Sequence, residues 1–98
     1  MDRPQTPNTD PFNGQEIEFP VTYVLKVVVT NNMTEEHHKQ LISEILLRKK
    51  IPFNFESTKP SAKGTYLSFS IMVTLLDKKQ LEELYAELKT LPWIKMAI

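Results

Sequence analysis

Cysteine is absent from the 98-residue chain, which excludes a disulfide framework and thiolate metal sites and makes folding indifferent to redox conditions. A reducing cytoplasm is the simplest home for such a protein. An excess of charge of either sign is also missing. Twelve Lys and Arg against twelve Asp and Glu give a formal net charge of zero, whereas proteins that live on phosphate backbones usually carry a clear basic excess. Nucleic acid is therefore a disfavoured partner. No stretch approaches the ~20 apolar residues that span a bilayer. The first 15 residues hold no basic start followed by an apolar run, so neither secretion nor membrane insertion is expected. What the chain does contain is 41% hydrophobic residues. At this length that fits one domain able to bury roughly 60 to 70% of its unfolded surface.

Residues 1–16 hold Pro4, Pro7 and Pro11 together with Asn8, Thr9, Asp10, Asn13 and Gly14, and little apolar besides Phe12. A segment of this kind cannot offset its ordering entropy, and a disordered tail is expected there, with a folded body over 17–98. Residues 21–30 (VTYVLKVVVT) are rich in β-branched and aromatic side chains without Gly or Pro. They predict a first strand with Val21, Tyr23, Leu25, Val27 and Val29 buried and Thr22, Val24, Lys26, Val28 and Thr30 on the other face. Thr34 followed by Glu35 and Glu36 reads as a helix N-cap. Leu41, Ile42, Ile45 and Leu46 then form an apolar stripe that must end before Pro52. Alternation returns at 51–57, with Ile51, Phe53 and Phe55 inward, and at 65–76, with Leu67, Phe69, Ile71, Val73 and Leu75 inward. Asp77 and Gln80 predict the cap of a second helix whose stripe is Leu81, Leu84, Tyr85, Leu88 and Leu91. Pro92 ends it. Residues 93–98 predict a short fourth strand with Ile94, Met96 and Ile98 inward and Trp93, Lys95 and Ala97 outward.

The order strand, helix, strand, strand, helix, strand is a ferredoxin-like βαββαβ two-layer sandwich of the α+β class, with both helices on one face of an antiparallel sheet. Pro52, Asn54, Glu56, Pro92 and Lys95 mark the second and fourth strands as edges. The expected sheet order is therefore 4-1-3-2.

The run Lys59-Pro60-Ser61-Ala62-Lys63-Gly64-Thr65-Tyr66 resembles the small bacterial YbeD family of unknown function. So do Glu18-Phe19-Pro20 before the body and Leu84-Tyr85-Ala86-Glu87-Leu88 followed by Ile94-Lys95-Met96. The resemblance covers about residues 18–98. That family is similar in fold to ACT domains, regulatory modules that bind amino acids at subunit interfaces, and the resemblance implies a regulatory or ligand-sensing role without enzymatic activity. The turn over 30–34 has no glycine where ACT domains commonly let a ligand approach the backbone.

Two candidate sites follow. In the hairpin, Lys59 and Lys63 flank Pro60, Ser61 and Gly64, so two ammonium groups and a hydroxyl can meet one anion; the competing reading is a soluble turn shaped by Pro60 and Gly64. Lys63-Gly64-Thr65 is not a phosphate loop, because the leading glycine and following helix are absent. The second candidate is the sheet face opposite the helices, with Val24, Val28, Tyr66, Met72, Ala97 and Trp93 among Thr22, Lys26, Ser68, Ser70 and Thr74. It is a half-apolar surface suited to a second copy or another protein. RNA-binding sheets of this topology stack bases on aromatics two residues apart, and here those positions are Thr65 and Leu67. His37 and His38 are adjacent, diverge by about 100° on a helix, cannot share a metal and are expected at the surface. Ser57, Ser61, Ser68 and Ser70 have no histidine and carboxylate placed to activate them. Asn32-Met33-Thr34 matches a glycosylation acceptor, but Thr34 is better used as a cap.

The expectation is a non-enzymatic regulatory or adaptor protein, without cofactor or metal, working through the open sheet face and the lysine hairpin. A sensor of small anionic metabolites is the first alternative. RNA binding is the second.

Overall fold

The structure is a computed structural model and describes residues 17–98; the tail expected over 1–16 lies outside the described residues. Six elements follow in the order β1 (Val21–Thr30), α1 (Glu35–Arg48), β2 (Phe53–Pro60), β3 (Tyr66–Leu75), α2 (Lys78–Lys89) and β4 (Ile94–Ala97). The sheet order is β2-β3-β1-β4 with every pairing antiparallel, the expected 4-1-3-2 read from the opposite edge. The ferredoxin-like sandwich is thereby established.

The two long central strands pair over their whole length, from Val21 opposite Leu75 to Thr30 opposite Tyr66. Leu25, Val27, Val29, Phe69, Ile71, Val73 and Leu75 are completely buried. The helices close over that layer with Ile42, Ile45 and Leu46 from α1 and Leu81, Leu84, Tyr85 and Leu88 from α2. Hydroxyls of Tyr23 on β1 and Tyr85 on α2 lie 2.7 Å apart and tie sheet to helix. A bidentate contact from Arg48 to Glu87, joined by Lys49 Nζ at 3.1 Å, links the end of α1 to α2.

The caps follow the chemistry of the sequence. Thr34 Oγ1 accepts from the His37 amide and Asp77 Oδ1 from the Gln80 amide. The Gln80 carboxamide accepts from the Leu76 amide, one residue earlier than a strict capping box places it. At the end of α1 the Lys50 amide donates to Leu47 and the Ile51 amide to Leu46, which is the paired closure of a Schellman motif. Its left-handed position is Lys50, at φ 61°, where glycine is the residue without steric cost.

Two expectations are corrected here. His38 is completely buried, because its position four residues before Ile42 and seven before Ile45 puts it on the apolar stripe, whereas its neighbour His37 is exposed. In β4 the alternation is interrupted. Ala97 pairs with Val27, Met96 with Val28 and Ile94 with Val29, with a register shift between the last two pairs. Lys95 is the extra residue of a β-bulge, so Ala97 faces the core and Met96 the open side. Trp93 also belongs to the core side, packed against the buried cluster.

Candidate functional site

Antiparallel partners share a face, so the pairings map the surface that the helices leave open. One row across the sheet runs Lys59, Ser68, Val28, Met96; the next runs Ser57, Ser70, Lys26, Ile98; a third runs Asn54, Met72, Val24. Thr30 and Tyr66 close one end of the face and Thr22 and Thr74, whose hydroxyls are 2.8 Å apart, the other. Val24 is 44% exposed, Tyr66 40%, Met96 49% and Ile98 51%; Val28 and Met72 are half-buried. The predicted set Val24, Val28, Tyr66 and Met72 therefore lies together on one face. Met96 and Ile98 join it in place of Ala97 and Trp93. Nothing in the sequence signalled that exchange, since the bulge at Lys95 is decided by pairing to β1.

The hairpin residues divide between two settings. A shift in β2 between Phe55 and Ser57 leaves Lys59 opposite Ser68 on the open face, and Pro60 is the last residue of the strand. Ser61 and Gly64 instead build the turn. The Gly64 amide donates to the Ser61 carbonyl, the Ser61 amide to the Tyr66 carbonyl, and Ser61 Oγ accepts from the Tyr66 amide at 3.1 Å. Gly64 has φ 74° with nothing within 4 Å of the place a Cβ would take, so the left-handed backbone rather than crowding makes glycine the fitting residue. Asn31 anchors the turn to the end of β1, its side-chain amide donating to the Gly64 carbonyl at 2.9 Å. Lys63 projects from this exposed turn, and among the described residues neither Lys59 nor Lys63 forms an ion pair.

His38 is the functional-type residue whose burial sequence reasoning missed, although its helical spacing to Ile42 and Ile45 was a usable signal. Its ring centroid lies 5.7 Å from Trp93 and 6.1 Å from Phe69. Neither ring nitrogen has a hydrogen-bonding partner among the described residues. Burial pushes its pKa below the ordinary imidazole value and neighbouring His37 acts in the same direction, against the opposing pull of the Thr30 and Thr34 backbone. An open groove of about 440 Å³ lies at the helix ends, lined by Arg48, Lys49, Asp77, Lys79, Gln80 and Glu83; its cations and acids are intermixed, and Gln80 Nε2 already donates to the Lys49 carbonyl. Among the described residues no three His, Asp or Glu side chains gather as a metal site, and no helix is long and apolar enough to cross a membrane.

Comparison with known proteins returns a family and a fold. The model of the family described as "Protein of unknown function (DUF493)" matches residues 14–98. The UPF0250 protein of Shewanella piezotolerans is 35% identical over 83 residues, covering 84% of this chain and 90% of the relative. The UPF0250 protein of Vibrio parahaemolyticus is 31% identical over 93 residues, 95% of this chain and 98% of that one. A solution structure of protein HP0495 from Helicobacter pylori superposes with a TM-score of 0.68 at 17% identity, covering 96% of this chain and 98% of that chain. The chain belongs to the DUF493 family, the YbeD family that its hairpin run resembles.

Proposed function

From membership of a family that carries no assigned activity, we propose that the protein is a non-catalytic regulatory or adaptor module whose working surface is the open sheet face. The observation that supports this most is the grouping of Val24, Val28, Met72, Met96, Ile98 and Tyr66 on the side away from both helices. A sheet face open to water is ordinarily polar, and a face on which valines, methionines and a tyrosine are interspersed with serines, threonines and lysines has the mixed character of protein interfaces. Elsewhere the polar side chains have structural employment: Asp77 and Thr34 cap helices, Glu87 holds Arg48 and Lys49, and Ser61 holds its turn. The absence of cysteine suits work in a reducing cytoplasm.

The test is the double variant Val24→Glu, Met72→Glu. Capture of the cellular partner by the tagged chain is expected to disappear while the far-UV circular dichroism stays unchanged, because both positions lie outside the core. Undiminished capture by a folded double variant contradicts the assignment. The sensor reading is supported by Lys59 and Lys63 at the hairpin, which form no ion pair among the described residues. It predicts that an anionic metabolite raises the melting temperature by mass action, and that Lys59→Ala with Lys63→Ala removes the rise.

A further inference from the structure

We propose that the open sheet face takes an acidic amphipathic segment of another protein, whose carboxylate meets Lys26 while its apolar side chains cover the surrounding valines and methionines. The proposal rests on the reading of this face as the working surface and specifies what the partner must carry.

Lys26 stands near the middle of the face. Leu25 and Val27 on either side of it are completely buried, so its own side chain lies on the opposite, open side. Val24 and Val28 flank it along β1, about 7 Å away at two residues' rise. Ser70 is opposite on β3, and Ile98 is opposite on the other side through paired hydrogen bonds of 2.9 Å. Among the described residues Lys26 forms no ion pair. Exposed, its ammonium is hydrated. Once the apolar side chains around it are covered, it loses that water, and a buried cation left unpaired is strongly unfavourable. A partner able to cover this surface must bring an anionic group to its centre.

Among the side chains of the four strands the one acid is Glu56. Glu56, in the β2 bulge, is two strands away, roughly 10 Å at the usual strand spacing, and its carboxylate accepts from Asn54 at 2.9 Å. A second copy stacked on the same face would add another Lys26 and Lys59, so charge disfavours self-association. A small free anion would pair with Lys26 but leave the apolar side chains around it in water, so it would not account for Val24, Val28, Met72 and Met96. RNA would need a longer track of cations than Lys26 and Lys59, on a chain whose charges sum to zero. A helix is about 10 to 12 Å across, and the axes of the outer strands are roughly 14 Å apart, so one amphipathic helix with an Asp or Glu among its Leu or Ile positions fits. Lys59, on the β2 side, supplies a second cation for the acidic flank of such a segment.

The experiment selects phage-displayed random amphipathic helical peptides in parallel on the full chain and on its Lys26→Glu variant. Peptides selected on the unaltered chain are expected to combine Leu, Ile or Phe with Asp or Glu and to shift amide resonances of Val24, Val28, Met72 and Met96. They should weaken on the order of tenfold with Lys26→Glu, the loss of one charge-assisted contact, and should not respond to Lys78→Glu on the exposed surface of α2. The variant should select peptides with Lys or Arg instead. Peptides that map to the open face without acidic residues, or that bind the Lys26→Glu variant equally well, overturn the carboxylate requirement and leave the face as a working surface. Peptides that all map elsewhere and ignore Val24→Glu with Met72→Glu remove that reading as well. Concentration-dependent dimerisation lost with Val24→Glu, or salt-sensitive binding of single-stranded RNA on this face, also overturns the proposal.

Discussion

The His38 ring, packed between Phe69 and Trp93, takes up a proton only against burial. Its direction of shift fixes a pH dependence. The unfolded chain takes up this proton near pH 6.5, whereas the folded chain takes it up only at lower pH, so below that value the unfolded state binds more protons. Stability is therefore full above about pH 6.5 and declines as pH falls toward the depressed native value. Urea unfolding at pH 7.5 and 5.5 is expected to show this loss in the unaltered chain and in a His37→Gln control, and to show it diminished in His38→Leu. An identical loss in His38→Leu would assign the dependence to other groups. The residue pattern placed the other buried positions of α1 correctly and missed this one, because histidine was weighed by its polarity instead of by its spacing to Ile42 and Ile45.

At the scale of elements, the departures from sequence expectation are events of pairing and closure. Helix starts were legible because Thr34 and Asp77 act within three residues of themselves. The bulge at Lys95 was not, since an alternating string such as Ile94 to Ile98 reads the same whether or not one residue is skipped, and the choice is made by β1. The consequence is large for so short a strand: Met96 and Ile98 move to the open face and Ala97 fits against the core beside Val27. The closure of α1 carries its own prediction. Lys50 occupies a left-handed backbone position at φ 61° while its amide is committed to Leu47. Lys50→Gly relieves that conformation at the cost of a more flexible unfolded chain, and a net gain of about 0.5 to 1 kcal/mol is expected. For a domain of this size that is a rise of roughly 2 to 8 °C in Tm by calorimetry; an unchanged or lower Tm would show that the lysine is unstrained there.

For the whole molecule, topology and layer order were legible because each strand announces its buried face by alternation, and prolines and charges sort the edges. The family too was legible, from the hairpin run Lys59 to Tyr66. The open sheet face was legible only in outline: Val24, Val28, Tyr66 and Met72 follow from alternation, whereas Met96 and Ile98 join them only once β4 is in register. Lys26 was visible as a polar residue on that face, whereas its place opposite Ser70 and Ile98 is set by the pairing of β1 with β3 and β4. The account as a whole stands on the face opposite the helices being where the protein meets its partner. The most direct measurement places a photo-cross-linking amino acid at Met72 on that face or at Glu82 on the exposed surface of α2, each in the full chain expressed in its own cells. A discrete covalent adduct from Met72, suppressed by adding Lys26→Glu and missing from Glu82, is predicted; adducts from Glu82 alone, or equally from both positions, would contradict the account.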